Sequence, residues 1–321
     1  MSIKEAINLK TKVLLNGHMI KLHILGEDKR NPVIIFVHGG PGIPNRQAIM
    51  EKLIPWTEDF TLVAYDQRGT GGSYKGTKVE DLSVETMIED LSALCDYVIE
   101  TLKVDKVNLL CGSWGTRIGI PFILKYPNKV ASYIGSGQMV NGPKGEMLSY
   151  EFTYQKALEA DDQESLEILK SVGPPEKGCY KPKRRGLFLQ RKVLQKYGGS
   201  TLKPPKKALV AMVKPLLCAK QLSIADKYGI IKGYGMSMDA LWEKMIDFDF
   251  ESPPPTFSVP IYIIQGRHDF TTPSPLVGPW FDKISAPVKK LFWLENSAHG
   301  PLGEEYEEYT RIVKELLLKE G

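Results

Sequence analysis

Ser113 stands in Cys111-Gly112-Ser113-Trp114-Gly115, between a short β-rich run and a helical pattern. A tight turn at such a junction pushes a serine hydroxyl into a strained, exposed position from which it can attack a carbonyl carbon. The residues two before and two after the serine must be small so that strand and helix can approach. Cys111 and Gly115 meet that need, Cys111 in place of the more usual glycine. A serine hydroxyl is a weak nucleophile near neutral pH, so it needs an adjacent base, and the base needs an orienting acid. His299, in Asn296-Ser297-Ala298-His299-Gly300-Pro301, is the expected base, and Asp269, in Gly266-Arg267-His268-Asp269, the expected acid. Each follows a strand-like run, where open α/β sheets place their sites. Among the other histidines, His18 and His23 lie in an opening hairpin, His38 in a different loop, and His268 abuts Asp269 too closely to sit between acid and serine. Asp282 and Glu295 are the weaker alternatives for the acid.

Acyl transfer also needs backbone N–H groups aimed at the oxygen that becomes negative. His38-Gly39-Gly40-Pro41-Gly42 follows the run Val33–Val37, and glycine there lets the main chain approach a substrate oxygen. The expected donors are the N–H of Gly40 and that of Trp114, with Gly39 as the alternative to Gly40. The glycine-rich stretch Asp66-Gln67-Arg68-Gly69-Thr70-Gly71-Gly72-Ser73 lacks the Lys-Ser/Thr ending of a phosphate loop and the last glycine of a dinucleotide fingerprint. Asp66 and Arg68 are therefore read as a structural pair. Neither a zinc spacing nor a nucleotide fingerprint occurs, so no metal and no organic cofactor is expected.

The elements that must carry these loops are legible from periodicity. Asn16-Gly17 between Thr11–Leu15 and Met19–Ile24 predicts a hairpin. Val33–Val37, Thr61–Tyr65, Val107–Cys111 and Val130–Ile134 are short apolar runs suited to strands buried on both faces, and strands resume at Ile261–Gln265 and Lys290–Leu294. Met87, Leu91, Leu94, Val98 and Leu102 recur at helical spacing behind Asp81 and Ser83, and Thr116–Tyr126 reads as a helix stopped by Pro127. The alternation of strand and helix gives an α/β core over residues 1–136 and 256–321. Residues 137–255 lack strand-like runs and read as a helical cap inserted in that core. A closing helix carries Tyr306, Tyr309, Ile312, Val313, Leu316 and Leu317.

The 321 residues are 42% hydrophobic and 25% charged, with a net charge of +4, which argues for neither a nucleic-acid partner nor a membrane surface. The N-terminal residues show no secretory pattern and no apolar run is long enough to span a bilayer. Cys95, Cys111, Cys179 and Cys218 are scattered, which fits reduced, buried thiols in a cytoplasmic protein. Lys177, Lys181, Lys183, Arg184, Arg185, Arg191, Lys192 and Lys196 form a basic stretch. It reads as a solvated cap face, the other reading being a non-catalytic module that binds an anionic partner.

Taken together, His38–Gly42, Tyr65–Gly71, Gly112–Gly115 and the Asp269 and His299 loops resemble the α/β-hydrolase superfamily, and within it the proline iminopeptidase (prolyl aminopeptidase) branch. The resemblance implies a mostly parallel eight-stranded sheet flanked by helices, with a helical cap, and release of an N-terminal residue from short peptides. Related esterases, amidases and lactonases share the same core motifs. A serine at position 113 argues against dehalogenase- or epoxide-hydrolase-like chemistry. The branch binds the free amine of its substrate through acidic cap residues. Glu146, first after the Gly142-Pro143 turn, is the candidate here, with Glu151 beside Tyr150 as the second.

Overall fold

Asn16 and Gly17 both adopt positive φ, +46° and +72°, the backbone that a two-residue hairpin turn requires. They join β1 (Ile7–Leu15) to β2 (His18–Gly26) in an antiparallel register that pairs Leu15 with His18. Both strands run further than the apolar residues alone indicate, because the extra residues of β1 continue a strict in-and-out alternation. The computed structural model describes residues 4–181, 183–202 and 222–318.

β3 (Val33–Val37), β4 (Thr61–Tyr65), β5 (Val107–Gly112), β6 (Val130–Ser136), β7 (Ile261–Gly266) and β8 (Lys289–Leu294) complete a sheet ordered β1-β2-β4-β3-β5-β6-β7-β8. β2 meets β4 antiparallel, whereas β3 lies parallel to both β4 and β5. β3, β4 and β7 are buried at every residue, as expected of strands covered on both faces. The fold is α/β, with a mostly parallel eight-stranded sheet, as expected.

Helix α1 (Arg46–Lys52) follows β3, and α2 (Val84–Leu102) follows β4. Ser83 caps α2 by accepting the Thr86 N–H at 3.0 Å, and Met87, Leu91, Leu94, Val98 and Leu102 form its buried face. Asp81 instead accepts the Lys78 N–H, within the single turn before it. Helix α3 (Trp114–Lys125) starts two residues before the expected Thr116, because Ser113 itself is the residue from which it springs. It ends at Lys125, with Tyr126 out of helical geometry ahead of Pro127.

Between β6 and β7 come α4 (Gly142–Glu159), α5 (Gln163–Val172), α6 (Lys183–Lys196) and α7 (Ile224–Ile246), with no strand of the sheet among the described residues. Helices α8 (Ser274–Lys283), α9 (Pro301–Glu304) and α10 (Tyr306–Leu318) follow. The described residues divide into two compact units. One comprises those within Met1–Ile134, Leu209–Trp242 and Phe257–Ile261, the other those within Gly135–Ala208, Glu243–Thr256 and Tyr262–Gly321. The helical stretch 137–255 is thus shared: α4 to α6 belong to the second unit and most of α7 to the first. No helix among the described residues is long and apolar enough to cross a membrane.

Candidate active site

In the first unit, Ser113 joins β5 to α3 with φ 51° and ψ −121°. A side-chain-bearing residue adopts such a conformation only when its surroundings impose it, at a cost of about 1–3 kcal/mol. The imposing contact is at Gly115, where a Cβ would lie 2.0 Å from the carbonyl oxygen of Val37 at the end of β3. Only glycine lets α3 start this close to β3. Cys111 takes the other small position. Its sulfur would lie 2.6 Å from a Cβ on Gly119, so the bare Gly119 one turn into α3 is what admits a thiol here. Burial raises the Cys111 and Cys95 thiols well above their ordinary range, so both stay protonated. Cys179 is only half-buried, unlike the expectation of uniformly buried thiols, and Cys218 lies outside the described residues.

The glycine turn after β3 lies against this elbow. A Cβ on Gly39 would be 3.3 Å from the Ser113 Cβ, and one on Gly40, whose φ is +142°, would be 3.8 Å from the Trp114 ring. Gln67, which the sequence did not single out, ties the two together. Its side chain accepts from Trp114 Nε1 at 2.9 Å and donates to the His38 carbonyl at 2.9 Å, while its N–H donates to His38 Nε2 at 3.1 Å. His38 therefore carries its proton on Nδ1, which donates to the Gly39 carbonyl at 2.7 Å. Burial lowers its pKa and keeps the ring neutral.

The expected Asp66–Arg68 pair does not form. Residues two apart with a single residue between them need not face one another, and each finds a distant partner instead. Asp66 binds Arg46 at 3.0 Å, and Arg68 forks onto Asp90 at 2.8 and 2.7 Å. The loop is nonetheless fixed to the glycine turn after β3, through Gln67 and through Thr70 Oγ1, which donates to the Gly42 carbonyl at 2.9 Å.

In the second unit, Asp269 is fully buried after β7 and accepts from five donors. The Thr271 and Thr272 N–H groups reach Oδ1 at 2.8 and 2.9 Å, and Thr272 Oγ1, Gln265 Nε2 and His299 Nδ1 reach Oδ2 at 2.8, 3.0 and 2.9 Å. All are acceptor contacts, which an ionised carboxylate provides and a carboxylic acid does not. The His299 proton on Nδ1 puts the basic lone pair on Nε2. The ring lies against Gly137, where a Cβ would come within 2.9 Å of His299 Cε1. The alternatives are elsewhere: Asp282 is exposed, Glu295 forks with Arg267, and His268 is exposed with its Nε2 on the Glu295 carbonyl. Gln265 and Thr272 were not visible as site residues in the sequence; only their closeness to Asp269 offered a signal.

Glu146 is 4% exposed on α4 and binds Arg191 of α6 through Oε1, while Tyr180 donates to its main-chain carbonyl at 3.1 Å. Glu146 Oε2 and Thr271 Oγ1 are both buried without a hydrogen-bond partner among the described residues, and both residues line one small pocket. Glu151 is exposed. In the basic stretch, Lys181, Lys183, Lys192 and Lys196 pair with Glu176, Glu243, Glu164 and Asp162. No cluster of three metal-ligating side chains occurs among the described residues.

Ser113, Gly39, Gly40 and Trp114 are thus brought together in one unit, and Asp269 and His299 in the other. Residues 32–171 match the α/β-hydrolase fold family model. With the sheet order, this defines the class: the chain has the α/β-hydrolase fold. It is 26% identical to the probable aminopeptidase YbaC of Bacillus subtilis (strain 168), over 94% of each chain. It is 24% identical to a proline iminopeptidase of Heyndrickxia coagulans, over 94% of this chain and 96% of that one. Among solved structures, a proline iminopeptidase-related protein of Thermus thermophilus superimposes with a TM-score of 0.64 at 18% identity, over 97% of this chain and 98% of that one, a likeness of fold.

Proposed function

We propose that this chain is a serine hydrolase that releases the N-terminal residue from short peptides, with Ser113 as nucleophile, His299 as base and Asp269 as the acid that orients it. The observation that carries the reading is the Asp269–His299 hydrogen bond, which fixes the imidazole tautomer that a general base needs. In the proposed reaction His299 Nε2 takes the proton of the Ser113 hydroxyl as its oxygen bonds to the substrate carbonyl carbon. The N–H groups of Gly40 and Trp114 donate to the developing oxyanion. The carbon–nitrogen bond then breaks, the leaving amine receives the proton from His299, and water releases the acyl group from Ser113 by the same steps in reverse. No metal or organic cofactor enters this scheme.

Residues 137–255 are proposed as the cap that carries substrate contacts, in a cytoplasmic enzyme. A substrate ammonium held away from water needs a carboxylate. Glu146 remains the proposed partner on the strength of its unpaired Oε2, but Arg191 already balances its charge, so the ammonium has to share the carboxylate.

Purified protein tested on proline arylamide, other aminoacyl arylamides and short-chain nitrophenyl esters decides the substrate class. Aminoacyl arylamides should be cleaved, and Glu146→Gln should impair them while sparing an uncharged ester. Ester cleavage alone would move the chain to the esterase reading. Equal loss on both substrates would make Glu146 structural.

A further inference from the structure

Four residues beyond the end of α6, Gly199 to Leu202, are hydrogen-bonded to the loops that follow β7 and β8. Phe270, next to Asp269, donates its N–H to the Gly199 carbonyl at 2.8 Å, and His299 donates its own N–H to the Ser200 carbonyl at 3.2 Å. Thr201 Oγ1 and the Leu202 N–H then converge on Glu304 Oε1 at 2.9 and 2.7 Å. The second oxygen of Glu304 accepts the N–H of Ala298, the residue before the base, at 2.8 Å. One carboxylate therefore joins the base loop to a segment 103 residues away in the chain.

Building on the reading of His299 as base, we infer that Glu304 is a positioning residue for that base, clasping its loop to Gly199–Leu202. The alignment of the imidazole then depends on a strand of chain that leaves α6. Both oxygens of Glu304 are committed to N–H or O–H donors, so even an isosteric amide fails. In Glu304→Gln the amide supplies one acceptor and turns its NH₂ toward either the Ala298 or the Leu202 N–H, leaving that donor unpaired. Glu305 provides a contrast, since a single oxygen, Oε2, accepts both the Asn296 N–H and Ser297 Oγ, at 2.9 and 2.7 Å. A glutamine there can keep both bonds.

The test compares wild type with Glu304→Gln, Thr201→Val and Glu308→Gln. The readouts are kcat and KM, the rate of fluorophosphonate labelling, and the low-field proton resonance of His299 Nδ1. Glu304→Gln should lower kcat and labelling about 30-fold, the equivalent of one or two buried hydrogen bonds, with KM little changed and the Nδ1 resonance broadened or lost. Thr201→Val removes the bond from Oγ1 to Glu304 and should cost about threefold with the same signature, which decides the matter if Glu304→Gln does not fold. Glu308→Gln, whose carboxylate pairs with Arg311, should behave as wild type. An unchanged rate and Nδ1 resonance in Glu304→Gln overturns the clasp, as does a raised KM at full kcat. Failure of wild type to label at Ser113 would instead remove the serine-hydrolase reading, and the Nδ1 comparison would still decide the clasp.

Discussion

Around Ser113 the restraints are backbone and bulk, whereas around His299 they are side-chain hydrogen bonds to carboxylates. The elbow is shaped by what glycine leaves out: no Cβ at Gly115 against Val37, none at Gly119 against Cys111, and none at Gly39 against Ser113. The His299 loop is shaped by what acids accept: Asp269 from five donors, Glu304 from three and Glu305 from two. Steric restraint and polar restraint break differently. Adding a methyl group to the first region should cost stability, while isosteric removal of a charge from the second should cost rate and leave the fold intact.

Asp269→Asn gives the largest expected effect. The amide cannot accept on both sides, and its NH₂ facing His299 favours the wrong tautomer, so kcat should fall by about 10⁴-fold while the protein stays folded, its melting temperature lowered by the buried donors left unpaired. A loss of fold instead would place this carboxylate among the structural groups. Gly115→Ala should do the reverse. Its Cβ meets a carbonyl oxygen that belongs to a buried strand, so urea unfolding should show a loss of about 3 kcal/mol.

The first unit also carries a pH-dependent contribution to stability. Burial, with Lys10 and Arg46 adding to it, lowers the pKa of His23 from 6.5 to about 4. As pH falls below 6.5 the unfolded chain binds a proton that the folded chain refuses. The contribution is thus complete above pH 6.5 and declines toward pH 4, the loss amounting to about 2 kcal/mol by pH 5. Urea midpoints at pH 7 and pH 5 should converge in His23→Gln relative to wild type; an identical drop in both would assign the acid sensitivity to other groups. A smaller effect is expected at the thiol of the elbow. Gly119→Ala should cost about 1 kcal/mol, and Cys111→Ala should recover part of it, because the sulfur is the nearest atom in the way.

The same contrast explains what could be read from the sequence. The elbow is a local device, so Gly112-Ser113-Trp114-Gly115 between a strand and a helix announces it, and the hairpin at Asn16-Gly17 is announced in the same way. Ser113 and strands β3 to β8 were legible because turn chemistry and apolar runs are properties of neighbours in the chain, although β8 is buried only at Leu294. The supports of Asp269 and His299 were not. Glu304 reads as one more acid near a helix until Leu202 is folded against it, and nothing in Gln67 signals that its amide links Trp114 to His38. The Asp66–Arg68 expectation erred for the same reason, since partners as distant as Arg46 and Asp90 leave no trace in spacing. Glu146 was singled out from its place after a turn, but its pairing with Arg191, 45 residues on, was beyond that signal.

The central claim is that Ser113 becomes the covalent carrier of the acyl group. The direct measurement is reaction of the purified protein with a fluorophosphonate, followed by mass mapping of the labelled peptide in wild type and in Ser113→Ala. The account predicts one adduct on Ser113, with labelling and hydrolysis both lost in the variant. An adduct on another residue, or hydrolysis that survives Ser113→Ala, would contradict it.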